Sequence, residues 1–290
     1  MPHLDYLNTC PCDDFVAALG DIFEHASWVA EAAFPFRPFP SVTALHDTMM
    51  EAVRKAPHRQ QLEFVRGHPE LGNKVGQTTG LTDASKAEQG GLGLDSLSEE
   101  EFARFTRLNA TYRDRFGLPF IICVRRHTRD SILRNFARRT ASEPDMEFQT
   151  ALDEIGLITR LRLVAAVEGP GKPRTEGRLS THVLDTMDGK PAPGVKLELY
   201  EIGASARGLI AQTTTNADGR TDAPLLSGAP LRIGTYELQF FVGPYFARLA
   251  MADPPYLDIV PVRFSVAEPE SHYHVPLLVT PWSYSTYRGS

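Results

Sequence analysis

The stretch VEGPGKPRTEG, residues 167–177, divides this chain. Two prolines and three glycines among mixed charges leave no room for apolar periodicity, which is the composition of a connector. On its N-terminal side the apolar residues recur with helical spacing. Phe15, Ala18, Leu19, Ile22 and Phe23 follow a cap expected at Asp13 or Asp14. Val42, Leu45, Met49 and Val53 follow Ser41. Ser98 to Glu101 reads as a capping box ahead of Phe102, Phe105, Tyr112 and Phe116, with Gly117 as the stop. A last helix begins near Ser142 and runs through ALDEIGLITRLRLVAAV. No alternating strand of any length is expected in this half. On the C-terminal side the period becomes two, in Val195, Leu197 and Leu199, in Tyr236, Leu238, Phe240 and Val242, and in Val262, Phe264 and Val266. Asp188-Gly189, Asp218-Gly219 and Pro254-Pro255 supply turns between them. The expected architecture is an all-α domain over residues 1–166, a linker over 167–177 and an all-β sandwich over 178–290.

Composition narrows the function classes. The 290 residues are 42% hydrophobic and 23% charged, with a formal net charge of −6, so no basic surplus points to nucleic acid or an anionic membrane. No run reaches the ~18 uncharged apolar residues of a spanning helix. The N-terminus carries Asp5 early and no basic segment before an apolar run, so no secretory signal is expected. Three cysteines, Cys10, Cys12 and Cys123, are too few for a disulfide framework, and Cys10-Pro-Cys12 has no second ligand pair for zinc. The C-terminal Arg-Gly-Ser is no peroxisomal address, and a cytoplasmic location is expected.

The C-terminal half carries a histidine and arginine set. Ser180-Thr-His182-Val-Leu-Asp185 puts an imidazole inside a strand on the face of Ser180. Arg220 follows the turn Asn216-Ala-Asp-Gly, and His272-Tyr-His274 puts two imidazoles on one strand face. Without an accompanying carboxylate or thiol cluster, these groups suit a planar anion and activation of water better than a metal. Taken singly, each also fits an ordinary role: a hydrogen-bonded strand histidine, a solvated turn arginine. THVLDTMDGKPAPGVKLELY and HYHVPLLVTPWSYSTYRGS resemble the opening and closing segments of the transthyretin-like family, and the tail Tyr287-Arg-Gly-Ser290 resembles its enzyme branch, 5-hydroxyisourate hydrolase. That resemblance implies a homotetrameric β-sandwich with active sites at a dimer–dimer interface. It also implies metal-free opening of the six-membered ring of 5-hydroxyisourate by water. Carried over by position, His182, Arg220 and His274 are the catalytic residues, with Tyr287 and Ser290 at the substrate. His272 is the lesser candidate of its pair.

The N-terminal half breaks its helical pattern at two motifs. Arg66-Gly-His68-Pro69-Glu70-Leu71-Gly72 holds a histidine in a Gly/Pro-bounded loop, and Leu81-Thr-Asp-Ala-Ser85-Lys-Ala-Glu88-Gln89 sets a carboxylate beside an amide near a helix start. On the last helix Phe148, Leu152, Ile155 and Thr159 form a stripe whose next member is Arg162. A guanidinium there must pair with a carboxylate or face a ligand. Glu88 could equally be the capping-box partner of Ser85. Together GHPELG, Ser85 to Gln89, Phe116-Gly-Leu-Pro-Phe-Ile-Ile122 and the Glu154 to Leu163 segment resemble 2-oxo-4-hydroxy-4-carboxy-5-ureidoimidazoline (OHCU) decarboxylase. The resemblance implies a cofactor-free, all-helical dimer. His68 and Glu88 would be the acid/base pair, and Pro69, Gln89, Phe120, Ile121, Ile122 and Arg162 would bind substrate.

The two resemblances fall on consecutive steps, 5-hydroxyisourate to OHCU to (S)-allantoin. Small ureido and purine-derived substrates are therefore expected, with no nucleic acid and no membrane partner. The rival is a transthyretin-like carrier module on a helical interaction domain, or a chain with one active half. His182, Arg220, His274 and the YRGS tail speak against the carrier.

Overall fold

In the computed structural model, residues 1–72, 82–93, 97–204, 207–249 and 253–289 are described. Among the described residues nine α-helices come first: α1 (Leu4–Thr9), α2 (Cys12–Leu19), α3 (Trp28–Ala33), α4 (Val42–Lys55), α5 (His58–Arg66), α6 (Asp83–Gly90), α7 (Glu99–Phe116), α8 (Arg129–Thr140) and α9 (Pro144–Ala166). Eight strands follow among the described residues: β1 (Arg178–Asp185), β2 (Lys190–Pro191), β3 (Lys196–Ile202), β4 (Arg207–Thr214), β5 (Gly234–Phe241), β6 (Ile259–Val266), β7 (His272–Val279) and β8 (Tyr284–Thr286), with a short α10 (Val242–Phe246) after β5. The chain splits into two compact units, residues 1–125 with 132–175, and residues 126–131 with 176–290. No helix among the described residues is long and apolar enough to cross a membrane.

The helical unit forms where the sequence spacing places it, with local differences. Ser41 caps α4 by accepting from the Ala44 amide, 3.0 Å, and the Ser98–Glu101 box closes α7 at its start. Gly117 ends α7 with φ 65°, a conformation only glycine adopts without strain. Asp13 and Asp14 do not cap α2. That helix begins at Cys12, after Pro11, and holds both carboxylates in its first turn, where they face the positive end of the helix dipole. Phe148, Leu152, Ile155 and Thr159 of α9 are all buried.

The Pro/Gly-rich stretch after α9 is bonded along the helical unit rather than hanging free. The amide of Leu4, at the start of α1, donates to Glu168 O (2.7 Å). Those of Val42 and Thr43, at the start of α4, donate to Pro170 O (3.0 Å) and Gly171 O (3.2 Å). A helix leaves its first amides without partners, and a proline keeps its carbonyl while losing its N–H, so this stretch caps two helices at once.

The second unit is two four-stranded sheets, ordered β2-β1-β7-β8 and β4-β3-β5-β6. Leu197 and Leu199 of β3 and Leu238 and Phe240 of β5 are wholly buried between them, as the alternation requires. Val195 is buried just before β3, and Val242, expected to continue the β5 alternation, is buried at the start of α10. β1 and β7 pair in parallel, with Ser180 opposite His274 and Arg178 opposite His272. β8 returns antiparallel to β7, and the tail continues that register until Gly289 lies opposite His274.

Candidate active sites

In the helical unit, His68, Pro69, Glu88, Gln89, Phe120, Ile121, Ile122 and Arg162 line one cavity together with Leu71, Ser85, Val124 and Ile158. All eight residues singled out in this half therefore converge from four separate stretches of chain. The cavity encloses only about 40 Å³ of free space. A substrate with two rings' worth of atoms needs far more, so side chains inside must exchange partners when it binds.

The partners that can exchange are those of Arg162. Its Nε and Nη2 donate to the two oxygens of Glu88 at 3.0 and 2.8 Å, a planar fork on a carboxylate. Its Nη1 donates to Glu24 Oε2 at 2.8 Å and its Nη2 also reaches Ser85 Oγ at 3.1 Å. Glu88 thus grips Arg162 and is not a capping partner of Ser85. Thr82 caps α6 instead, accepting from the Ser85 amide. Glu24 is the residue the sequence hid. It is buried, and also accepts from Thr82 Oγ1 (2.8 Å) and Ser85 Oγ (3.0 Å). Burial would raise its carboxyl, but the hydrogen bonds from Arg162, Thr82 and Ser85 outweigh that and hold it below the usual carboxylate range. One guanidinium between two carboxylates leaves the cluster one negative charge in excess, before any anionic substrate arrives.

His68 is buried and sits edge-on to Phe64, ring centroids 5.0 Å apart. Its Nδ1 lies 3.0 Å from the Phe64 carbonyl. A carbonyl only accepts, so Nδ1 carries the proton and Nε2 keeps its lone pair. Burial pushes His68 down to about 4, against the opposing pull of the Phe64 hydrogen bond and Glu24. At neutral pH it is a base, not an acid. Gln89 spends both ends of its amide on the loop below, accepting from Gly72 N at 3.2 Å and donating to Glu70 O at 3.3 Å. The wall from Phe120 to Ile122 is fixed from behind. Buried Arg139 donates to the Ile121 carbonyl (2.7 Å) and pairs with buried Glu147 at 2.6 Å, while Glu154 takes the Cys123 amide at 2.8 Å.

In the β unit, Ser180, Arg220, His272, His274, Tyr287 and Gly289 line a cleft of about 930 Å³ with Arg178, Asp222 and Arg288 on its rim. Ser290 lies outside the described residues. His182 is not among the residues that line the cleft; it stands beside Arg220, since the Val183 amide donates to Gly219 O at 2.8 Å and His182 and Arg220 form an isolated bridge. Only glycine fits at 219: a Cβ there would stand 2.3 Å from the Val183 carbonyl oxygen, and its φ is 69°. The His182 ring bonds the Asp218 main chain, and its Nε2 is buried without a hydrogen-bond partner. Burial first and the Arg220 guanidinium second push His182 below the ordinary histidine range, and the same two causes act on His274. Two neutral imidazoles beside a guanidinium fit an anionic ring and a water to be deprotonated. The tail locks the second imidazole in place: Gly289 exchanges both main-chain hydrogen bonds with His274, and a Cβ on it would stand 2.8 Å from the ring.

Two catalytic modules are therefore joined in one chain, and the sequence comparisons class them separately. The chain belongs to the OHCU decarboxylase family, matched over residues 8–164, and to the HIUase/transthyretin family, matched over residues 179–289. It is 46% identical over 160 residues to the 2-oxo-4-hydroxy-4-carboxy-5-ureidoimidazoline decarboxylase of Haloferax volcanii, covering 55% of this chain and 93% of that one. It is 55% identical over 116 residues to 5-hydroxyisourate hydrolase 2 of Rhizobium meliloti, covering 39% of this chain and 97% of that one. A crystal structure of (S)-allantoin synthase aligns over 99% of this chain and 100% of its own, with 34% identity and a TM-score of 0.52.

Proposed function

We propose that this chain hydrolyses 5-hydroxyisourate to OHCU in its β unit and decarboxylates OHCU to (S)-allantoin in its helical unit. The observation that carries the reading is that each unit assembles, in one cavity or cleft, side chains suited to its own step. In the hydrolase cleft His274 deprotonates water, with His182 as its neutral partner, and Arg220 stabilises the oxyanion formed on the ring carbonyl. Tyr287 closes the rim.

In the decarboxylase cavity the substrate carries a hydroxyl and a carboxyl on one carbon. His68, with its Nε2 lone pair, takes the hydroxyl proton as carbon dioxide leaves, and the electron pair passes into the adjacent ring. No electron-sink cofactor is needed for a pair that the substrate's own unsaturation absorbs. The proton must then reach one face of the neighbouring carbon to set its configuration. Once the substrate's anionic group has replaced it on Arg162, Glu88 accepts the hydroxyl proton from the His68 imidazolium and delivers it to that face, which returns both groups to their starting states. The ring nitrogen takes from water the one net proton that loss of carbon dioxide from a carboxylate consumes, and Glu24 holds the guanidinium meanwhile. Pro69, Phe120, Ile121 and Ile122 shape the walls.

The chain works in the cytoplasm as a homo-oligomer, with a dimeric helical part and a tetrameric β part. Three free thiols suit a reducing compartment, and exposed Leu209, Ile210, Ile259 and Trp282 offer apolar surface for subunit contacts.

The test is His68→Asn. Hydrolysis is expected unchanged, while product ellipticity from allantoin falls to the background of spontaneous, racemic decay. In the wild type, kcat/KM for decarboxylation should stay level as pH drops through 6.5 and fall only towards about 4, since protonating His68 removes the base. Besides Glu24, the charged and titratable neighbours acting on His68 are Arg162 and His25. An acid limb at 6.5, or undiminished ellipticity in His68→Asn, would remove His68 from the mechanism.

A further inference from the structure

Ser180 stands between two imidazoles. Its Oγ lies 2.8 Å from Nε2 of His272 and 2.9 Å from Nδ1 of His274. The parallel register of β1 and β7 sets this up: Ser180 is opposite His274, and the face alternation brings His272 to the same side, with the two rings 6.3 Å apart. A hydroxyl has one proton to give. Its oxygen also has two lone pairs, so, bonded to two imidazole nitrogens at once, it donates to at most one of them and at least one of the two nitrogens carries a proton.

Three arrangements satisfy this geometry: in one, both nitrogens carry protons and donate to Ser180, and in the other two Ser180 donates to one imidazole and accepts from the other. If Ser180 donates to His274 Nδ1, then neutral His274 carries its proton on Nε2 and has no lone pair for a water. If His274 Nδ1–H donates to Ser180, and Ser180 donates to His272 Nε2, then His274 Nε2 is bare and basic. Catalysis by His274 requires its proton on Nδ1, and Ser180 donating to His272 Nε2 is the arrangement of that kind in which the hydroxyl proton also has an imidazole acceptor.

We propose that Ser180 is a proton relay from His274 to His272 in ring hydrolysis, an inference that rests on the hydrolase reading given above. As water attacks the ring carbonyl, its oxygen bonds to the carbonyl carbon and the carbonyl π pair moves onto oxygen. His274 Nε2 takes the water proton, the Nδ1 proton passes to Ser180 Oγ, and the hydroxyl proton passes to His272 Nε2. Charge is conserved: the imidazolium now sits on His272, and neutral His274 carries a proton on Nε2. That proton is then in place for the ring nitrogen that leaves when the C–N bond breaks. As it departs, His272 returns its proton to Ser180 and Ser180 returns one to His274 Nδ1, restoring the starting tautomers. The relay thus converts His274 from base to acid within one turnover. It also moves positive charge off a ring that Arg220 and burial both keep from holding it. Ser180 and His272 touch no substrate atom in this scheme and act through His274.

The experiment follows 5-hydroxyisourate decay in the intact chain for wild type, Ser180→Ala, Ser180→Thr and Ser180→Ala combined with His272→Ala, each in mixtures of light and heavy water. Ser180→Ala is expected to lose about 10- to 100-fold in kcat, less than the about 10²–10⁴-fold of losing the base itself because His274 remains, with KM within about twofold. Ser180→Thr keeps the hydroxyl and should recover most of the rate. The double variant should be no slower than Ser180→Ala alone. The dependence of rate on deuterium fraction should curve in the wild type, where several protons move together, and become linear in Ser180→Ala. A wild-type rate and a curved plot in Ser180→Ala would overturn the relay, as would a threonine variant as slow as the alanine one. A wild type that does not hydrolyse 5-hydroxyisourate at all would overturn the hydrolase reading itself.

Discussion

Arg162→Leu is expected to abolish stereospecific decarboxylation and to destabilise the helical unit by about 3–5 kcal/mol, the usual loss when one partner of a buried ion pair is removed. The Arg162 side chain is 8% exposed, that of Glu24 0% and that of Glu88 14%. Leucine keeps the volume roughly but leaves two carboxylates facing each other in a cavity with no cation. One must take up a proton or the cluster must open. Either outcome dismantles the oxygens that Ser85 and Thr82 hold, and with them the start of α6. Arg162→Lys separates charge from shape. A single ammonium cannot form the fork on Glu88 while reaching Glu24, so much of the stability should return but little of the rate. Urea unfolding followed by far-ultraviolet ellipticity measures the first effect, and the chiral signal of the product measures the second. Wild-type midpoint and rate in Arg162→Leu would show that the guanidinium neither binds substrate nor balances the carboxylates.

His274→Asn is expected to lower kcat for 5-hydroxyisourate hydrolysis by about 10²–10⁴, the range for removing a general base. The asparagine amide can still reach Ser180 from the position of Nδ1, so strand pairing and the tail contact with Gly289 should survive. What disappears is Nε2. Decarboxylation in the other unit should continue on OHCU formed by spontaneous hydrolysis, so product ellipticity should develop at the slow uncatalysed pace. Ultraviolet decay of 5-hydroxyisourate at the wild-type rate would contradict the role given to His274.

The sequence made the fold legible where one element carries its own pattern. The period of two in Leu197 and Leu199, and in Leu238 and Phe240, needs no partner to be seen, and neither does the Ser98–Glu101 box. The first cap of α2 was not legible, because Pro11 starts that helix without a side-chain acceptor. Residues 167–177 read as a connector because composition reports the missing periodicity but not where carbonyls are accepted. In the sites, His68, Glu88 and Arg162 stood out through local oddities: a histidine between glycine and proline, a carboxylate beside an amide, a guanidinium on an apolar stripe. Glu24 had no such mark. Its meaning comes wholly from Arg162, 138 positions along the chain. Ser180 was visible beside His182, but its place between His272 and His274 depends on the β1–β7 register, which no single strand encodes.

The most direct test of two consecutive enzymes in one chain uses two signals on the same sample. Freshly generated 5-hydroxyisourate is mixed with the purified intact protein, and ultraviolet absorbance and circular dichroism are followed together. Absorbance should decay well above the spontaneous rate, followed by the ellipticity of a single allantoin enantiomer. Accelerated decay that ends in optically inactive product, or no acceleration at all, would contradict it.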